Sequence, residues 1–367
     1  MDTQANSNMS VPSSLHSNRP KQVLMIPLRR CGSHALRLRL NNSREFFSPY
    51  PLHVVDFVHL LPRYGNLDDD RTYFRLVVDV VGLQSVSMVK WKNIVFDPSE
   101  IFEAIRLQPR SIHRILWEML LRAGEQEGAT VVMDKSLDSV HYAEEMLNLF
   151  PDMLFLNVVR DPRAQVASMN RAIIHDFDSC LNALTWVEAH RAARRLIARH
   201  PDRVLTIRFE DFLHSQDAVL HEICRFFGIE FLPEMVDVSQ SNEAQSIAKM
   251  SALWENNCFP PMLENKDKFM RQLSMTEIEM IETITQDFMQ MYGYEMITPA
   301  QSNFSYDGVQ EMIMKSEQAK QGAWESLKIN SHKDYTLRRF RAEYLENLSR
   351  VLPAAQMPKP VSLALAA

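Results

Sequence analysis

The sequence predicts an α/β fold of three layers, in which a central parallel sheet is flanked by helices and followed by a C-terminal helical extension. Short apolar runs of strand length recur along the chain, and each is followed by a charged turn and a helical pattern. Apolar strands that alternate with helices are typical of a parallel sheet covered on both faces. The 367 residues are 46% hydrophobic and 23% charged, which is the composition of an ordinary folded protein.

Four strands are predicted, over residues 22–26, 129–133, 154–159 and 204–208. The first leads through Pro27 and a turn at Gly32 into a helix for which Ser33 is a plausible cap. The others lead into helices over 138–149, after Asp161-Pro162, and near 215–227. In such sheets ligands bind beyond the carboxyl ends of the strands, so we expect the functional residues there.

The remaining regions suggest a division into three parts. Residues 1–20 are predicted to form a flexible tail, 21–298 the main domain, and 299–367 a helical extension with a disordered end. An amphipathic helix is expected over 276–292 and two more over about 308–328 and 334–350. Residues 73–83 fit a strand or a buried helix, and 40–128 as a whole are unassigned.

Glycine content and charge exclude several classes of protein. The nine glycines form neither G-x-G-x-x-G nor G-x-x-x-x-G-K-[ST], which excludes a Rossmann fingerprint and a full Walker A loop. The net charge of −6 disfavours a nucleic-acid partner. The four cysteines contain no C-x-x-C pair, so neither a metal site nor a disulfide framework is expected. With a polar start and no long apolar run, the expected location is cytoplasmic, without integral membrane contact.

Positive charge recurs where the predicted strands end. Arg30, Lys135, Arg160 and Arg208 stand at or just beyond the four ends. Five arginines and no acid occur between positions 29 and 44, around a helix N-terminus at Gly32. Free N–H groups at such a terminus favour phosphate or sulfate. The pattern therefore indicates an anion site, although a solvated basic helix would give the same run of arginines.

Five short motifs, in order, resemble those of sulfotransferases that use 3′-phosphoadenosine 5′-phosphosulfate (PAPS). The stretch from Arg30 to Leu36 resembles the 5′-phosphosulfate loop, and Arg160 with Ser168 resembles the 3′-phosphate site. The remaining similarities are Asp134-Lys135-Ser136, Arg208-Phe209-Glu210-Asp211 with the helix after it, and the segment from Lys268 to Tyr294. The resemblance covers about 22–294 and implies a P-loop-like fold.

The resemblance also implies a role for each matching residue. The 5′-phosphosulfate would be bound by Arg30, Cys31, Gly32, Ser33, His34 and Ala35 of the loop. Arg160 and Ser168 would hold the 3′-phosphate, and Phe209 stands where the family often places a tyrosine against the adenine. Lys135, with Arg30, would act at the transferring sulfuryl group. No metal is required, and the product would be 3′-phosphoadenosine 5′-phosphate (PAP).

The chain departs from the family pattern at several positions. Cys31 and His34 replace hydroxyl residues, and Leu137 stands where the cytosolic branch carries a catalytic histidine. The chain is more similar to the branch that acts on carbohydrates and varied small molecules. As the base we choose His53, with Asp56 three residues on, over the alternative of His141 and Asp138.

Several functions remain open at this stage. The acceptor is predicted to be a small molecule, a carbohydrate or a lipid that presents a hydroxyl or an amine. The alternatives are a P-loop nucleotide kinase or NTPase, and a nucleotide-binding relative that has lost catalysis. The C-terminal helices are expected either to cover the acceptor pocket or to form a homodimer contact.

Overall fold

Five parallel strands form a single sheet in the computed structural model, which describes residues 19–91, 93–239, 241–251, 254, 266–299 and 308–353. The strands are β1 (Lys21–Ile26), β2 (Phe46–Phe47), β3 (Val131–Asp134), β4 (Leu154–Val159) and β5 (Val204–Arg208). Their order is β2–β3–β1–β4–β5, and every neighbouring pair is parallel. The central strand β1 therefore brings the loops after β3, β1 and β4 side by side.

Helices cover both faces of this sheet, as predicted. In chain order they are α1 (Ser33–Leu40), α2 (Leu61–Tyr64), α3 (Asp70–Ser85), α4 (Pro98–Ile105), α5 (Ile112–Glu127), α6 (Ala143–Leu149), α7 (Pro162–Met169), α8 (Ser179–Arg199), α9 (Phe209–His214), α10 (Gln216–Phe227), α11 (Asn242–Ala248), α12 (Met275–Tyr292), α13 (Val309–Asn330) and α14 (His332–Val351). Short 3₁₀ helices span Val54–Leu60, Leu137–Tyr142, Pro201–Arg203, Pro233–Met235 and Lys268–Arg271.

The core divides along the two faces of the sheet because successive side chains of a strand point in opposite directions. On β1, Leu24 and Ile26 join the larger cluster, which includes residues of α3, α5 and α8. Val23 and Met25 join the cluster formed with α1, α9 and α10. All four side chains are fully buried. The three-layer arrangement predicted from the sequence is confirmed.

Individual elements differ from the expectation at a few points. The segment 73–83, left open between strand and helix, lies in α3, which begins where Asp69 accepts a hydrogen bond from the Thr72 N–H. The helix predicted over 138–149 is divided into a 3₁₀ turn and α6. Ser33 does not cap α1, because Gly32 occupies the cap position in a left-handed conformation and Ser33 is the first helical residue.

Both ends of the described chain pack against the body. Arg19 forms an ion pair of 2.7 Å with Glu118, and Pro20 is buried, at the end of the segment predicted to be a flexible tail. The rest of that tail, and the end predicted to be disordered, lie outside the described residues. None of the helices in the described ranges has the length and apolar character needed to cross a membrane.

The C-terminal helices α13 and α14 form part of the packed body. Leu348 and Leu352 are buried in the larger core cluster. The Tyr344 hydroxyl donates a hydrogen bond of 2.7 Å to the Asp79 carbonyl, and it lies so close to Gly82 that a Cβ there would be 2.4 Å from it. Helix α14 is therefore fixed against α3 by both apolar and polar contacts.

Leu348→Ala is expected to destabilise the protein by about 2–4 kcal/mol, since it removes a buried leucine from this contact. The control is Phe340→Ala on the same helix, where the side chain is 60% exposed and the expected change is within about 0.5 kcal/mol. Urea unfolding measures both values. Equal, small losses would contradict the packing of α14 onto the core.

Candidate active site

The loop between β1 and α1 forms the centre of the site. Arg30 and Gly32 both adopt left-handed backbone conformations, with φ of 73° and 87°, so that the chain turns sharply into α1. A helix start leaves its first N–H groups without intrahelical partners. Cys31 is fully buried, and burial raises the pKa of its thiol to about 11. The backbone of Cys31, and not its side chain, is therefore the part that can contact a ligand. The arrangement is suited to an anion.

Glycine is required at position 32 by a close contact as well as by φ. The Phe209 ring lies against the backbone, so that a Cβ on Gly32 would be 2.0 Å from a ring carbon. The guanidinium of Arg160 lies 5.2 Å from the centre of the same ring. Phe209 is buried, and in this position it links the loop after β1 to the residues after β4.

Three of the predicted cations meet at the carboxyl ends of β1, β3 and β4. The Arg160 Nη1 atom donates to the Arg30 carbonyl at 2.7 Å, and the Arg30 Nε atom donates to the Ser168 Oγ atom at 3.1 Å. Lys135 is only 3% exposed. Among the described residues, none of these three cations has a carboxylate within ion-pair distance. Ser168, predicted beside Arg160, is bonded to Arg30 instead.

Burial is the first cause of the lowered pKa values of these cations, and for Lys135 and Arg30 neighbouring positive charge comes second. Burial, followed by the charge of Arg37, lowers the pKa of Lys135 to about 7. Burial and then the charge of Arg160 lower the pKa of Arg30 to about 10. Burial also lowers the pKa of Arg160. Each lowered pKa means that the charged form of the cation is destabilised in its surroundings. A bound anion would supply the negative charge that these cations lack.

Two other predicted cations are held in ion pairs or structural contacts. Arg29 pairs with Asp138, with 2.6 Å between Nε and Oδ2. Arg208, the last residue of β5, lies 4.5 Å from the centre of the ring of Tyr294, which belongs to the closing segment of the domain. Of the five arginines between 29 and 44, Arg37 and Arg39 are buried and bind protein carbonyls.

The predicted base lies at the site without its expected partner. The Nδ1 atom of His53 is buried and has no hydrogen-bond partner among the residues that the structure describes. Burial, and then the charges of Arg29, Lys135 and Arg341, lower its pKa well below the usual value, so the imidazole is neutral. Asp56 does not pair with it, because its carboxylate binds Arg341 at 2.8 Å. His141 is exposed, and Asp138 is bound to Arg29.

Two further imidazoles face the same cations. His34 Nδ1 and His175 Nε2 are buried without hydrogen-bond partners in the described part of the chain. Burial, then the charges of Arg29 and Arg30, lower the pKa of His175 to about 3. Sequence reasoning missed His175, because a single histidine in a polar loop has no distinguishing pattern.

An aromatic wall stands beside these imidazoles. The Tyr50 ring stacks on His34 with 5.9 Å between centroids, and the Trp254 ring lies 5.4 Å from Tyr50. Arg338 of α14 lies 6.0 Å from the Trp254 ring and binds Asp334. Tyr50, Trp254 and Arg338 come from segments far apart in sequence, so only the fold brings them together.

The described residues combine an α/β fold with three cations that meet at the carboxyl edge of a parallel sheet. The model of the sulfotransferase family matches residues 22–233, more than half of the chain. The chain belongs to the sulfotransferase family, as the ordered motifs predicted.

Two solved structures are similar in fold. The sulfotransferase domain of the Synechococcus PCC 7002 olefin synthase is 20% identical with a TM-score of 0.51, over 76% of this chain and 96% of that one. The sulfotransferase domain from the curacin biosynthetic pathway is 18% identical with a TM-score of 0.51, over 76% and 100%. None of the curated proteins matches the chain.

Gly32→Ala tests the contact between the loop and Phe209. We expect a loss of several kcal/mol in unfolding free energy, since φ of 87° and the 2.0 Å approach both oppose a Cβ. Gly128→Ala is the matched control, because Gly128 has φ of 74° but open space around it. A loss in Gly32→Ala no larger than in Gly128→Ala would mean that the ring contact is unimportant.

Proposed function

We propose that the protein transfers a sulfuryl group from PAPS to a hydroxyl or amine of a small-molecule, carbohydrate or lipid acceptor. The observation that carries the proposal is a set of three cations, buried Lys135 and half-buried Arg30 and Arg160, which have no carboxylate partner among the described residues. Burying unpaired charge is costly, so a site with three such groups is suited to a ligand with several negative charges. PAPS has that charge.

The donor would be held along the loop after β1 and the start of α7. Arg30, Gly32 and Ser33, with the backbone from Cys31 to Ala35, would bind the 5′-phosphosulfate. Arg160 and Ser168 would hold the 3′-phosphate, and Phe209 would support the adenine side. The contact between Arg160 and the Arg30 carbonyl supports this assignment, because it joins the two phosphate sites through one hydrogen bond of 2.7 Å.

The reaction would be an in-line displacement at sulfur. The acceptor oxygen forms a bond to sulfur while the bond between sulfur and the phosphate oxygen of PAP breaks, and the acceptor proton passes to a base. Lys135 and Arg30 would stabilise the negative charge that develops on the leaving oxygen and on the sulfuryl oxygens. His53 would take the proton, since its Nδ1 atom has no hydrogen-bond partner among the described residues and the negative charge of bound PAPS would offset the cations that help to lower the pKa of its imidazole.

Arg160→Ala is expected to weaken PAP binding by about 100-fold or more, since a charge-assisted contact to phosphate is lost. Isothermal titration calorimetry of PAP and, separately, of ATP measures this. Arg203→Ala is the matched control. Arg203 directly precedes β5, at the amino ends of the strands and so away from the site, and it pairs with Asp152.

The titration has three informative outcomes. PAP binding that only Arg160→Ala abolishes would support the donor site. Equal binding of ATP would revive a nucleotide kinase or NTPase, and no binding of either nucleotide would overturn the proposal. Tight PAP binding without transfer to any member of a broad acceptor panel would identify a relative that has lost catalysis.

Lys135→Met should retain PAP binding, weakened by the loss of the ammonium charge that PAP draws onto the wild type, and lower turnover by about 10²–10³-fold, the cost of losing one transition-state donor. The wild type should also take up a proton when PAP binds near pH 8, because the free ammonium has a pKa of about 7 that a bound anion raises. Near pH 6 the ammonium is already protonated and the uptake should disappear.

Calorimetry in buffers of different ionisation enthalpy measures this uptake. The folded pKa of Lys135 lies below its unfolded value, so the unfolded state binds more protons between them and stability should rise with pH over that range. Lys135→Met should remove both the proton uptake and this rise. Undiminished uptake in the variant would assign the proton to another group.

A further inference from the structure

The backbone of His53 is held in an unusual conformation. Its φ of 51° and ψ of 57° are left-handed, and it stands at the start of the 3₁₀ helix Val54–Leu60 without a capping bond from its side chain. A residue other than glycine pays about 1–2 kcal/mol in that region, and such conformations persist only where surrounding contacts impose them. The segment therefore needs an external contact that keeps it in place.

That contact comes from α14, far along the chain. The Nη2 atom of Arg341 donates to the Leu52 carbonyl at 2.9 Å and to the His53 carbonyl at 3.2 Å. The same atom donates to the Asp56 Oδ2 atom at 2.8 Å. The three acceptors lie before, at and after the turn, so one guanidinium fixes the whole segment. Hydrogen bonds from a charged donor are among the stronger ones.

Arg341 can act in this way because its own helix is fixed. Tyr344 binds the Asp79 carbonyl one turn further along α14, and Leu348 is buried in the core another turn on. The Arg341 side chain is 18% exposed. A rigid helix thus presents the guanidinium to the turn, and the position of His53 is coupled to the docking of α14.

We propose that Arg341 is a positioning residue for the His53 imidazole, so that the C-terminal helix forms part of the active site. The proposal rests on the assignment of His53 as the base. It is supported by the convergence of three acceptors on one nitrogen, and by the buried Nδ1 atom of His53, which no group in the described ranges binds. Arg341 itself does not contact the reacting atoms.

The test compares Arg341→Gln with two other variants. Arg341→Lys keeps the charge and carries three N–H donors on its one nitrogen, but its shorter side chain places that nitrogen at a different position. Arg339→Gln is the matched control, since Arg339 lies on the same helix, is largely exposed and pairs with Glu343 in its own helix. His53→Gln assigns the His53 resonances in the spectrum of protein labelled with ¹⁵N-histidine.

In Arg341→Gln we expect the imidazole resonances of His53 to shift or broaden at neutral pH. Those of His200, which precedes β5 at the opposite edge of the sheet, should stay in place. Arg341→Lys should restore part of the wild-type spectrum, and Arg339→Gln should not alter it. PAP affinity should change less than about twofold, because no hydrogen bond of Arg341 goes to the proposed donor residues.

Turnover gives a second readout. With ³⁵S-labelled PAPS and the acceptor panel, Arg341→Gln should lower kcat by about 10–100-fold and leave the KM for PAPS unchanged. Should Arg341→Gln fail to fold, Asp56→Ala removes one of the three acceptors and should shift the His53 resonances in the same direction, by less.

The outcomes separate this proposal from the proposed function. Unchanged His53 resonances in a folded Arg341→Gln variant would overturn the positioning role. Loss of PAP binding in Arg341→Gln together with a general change in all histidine resonances would also overturn it, since that indicates global damage. If the wild type binds no PAP but His53 still responds to Arg341→Gln, the proposed function fails and the structural coupling stands.

Discussion

The site depends on one constraint, which is the placing of three cations without carboxylate partners where three neighbouring strands end. Elsewhere this fold does pair its buried charges. Arg163 binds Asp161 at 2.6 Å and Glu282 at 2.5 Å, and all three side chains are buried. The chain therefore can supply a carboxylate to a buried cation. In the described ranges, however, no carboxylate pairs with Arg30, Lys135 or Arg160. The unpaired positive charge is therefore a specific feature of this edge, and the fold maintains it in spite of the costs of desolvation and mutual repulsion.

The paired charges hold the unpaired ones in place. Asp161 caps α7 and binds Arg163, and its own N–H donates to Glu210 at 3.0 Å. Glu210 in turn accepts from the Tyr294 hydroxyl at 2.7 Å. This network ties the residue after Arg160 to α9, α12 and the closing segment. Arg160 thus extends from a rigid turn, as preorganised electrostatic stabilisation requires.

Sequence alone predicted the half of the site that depends on local pattern. Strand length, strand ends and the glycine turn locate Arg30, Lys135 and Arg160, because a parallel sheet brings its carboxyl ends together. The burial of Arg37 could not be predicted, since a buried structural arginine and an exposed one look alike in sequence. Nor could the pairing of Asp56 with Arg341, which is remote in sequence. Tyr50, His175, Trp254, Arg338 and Arg341 come from remote segments, and only tertiary packing assembles them.

The lowered pKa of Lys135 has a consequence for the empty site and another for the site with a bound anion. Without an anion, an ammonium with a pKa of about 7 is charged only part of the time, which relieves its repulsion from Arg37 and Arg29. A ligand with several negative charges reverses the balance and draws a proton onto the amine. In the proposed reaction, the full positive charge would then be present when charge develops on the leaving oxygen. A lysine with a surface-like pKa would provide the same charge during transfer, but it would repel its neighbours in the empty site at every physiological pH.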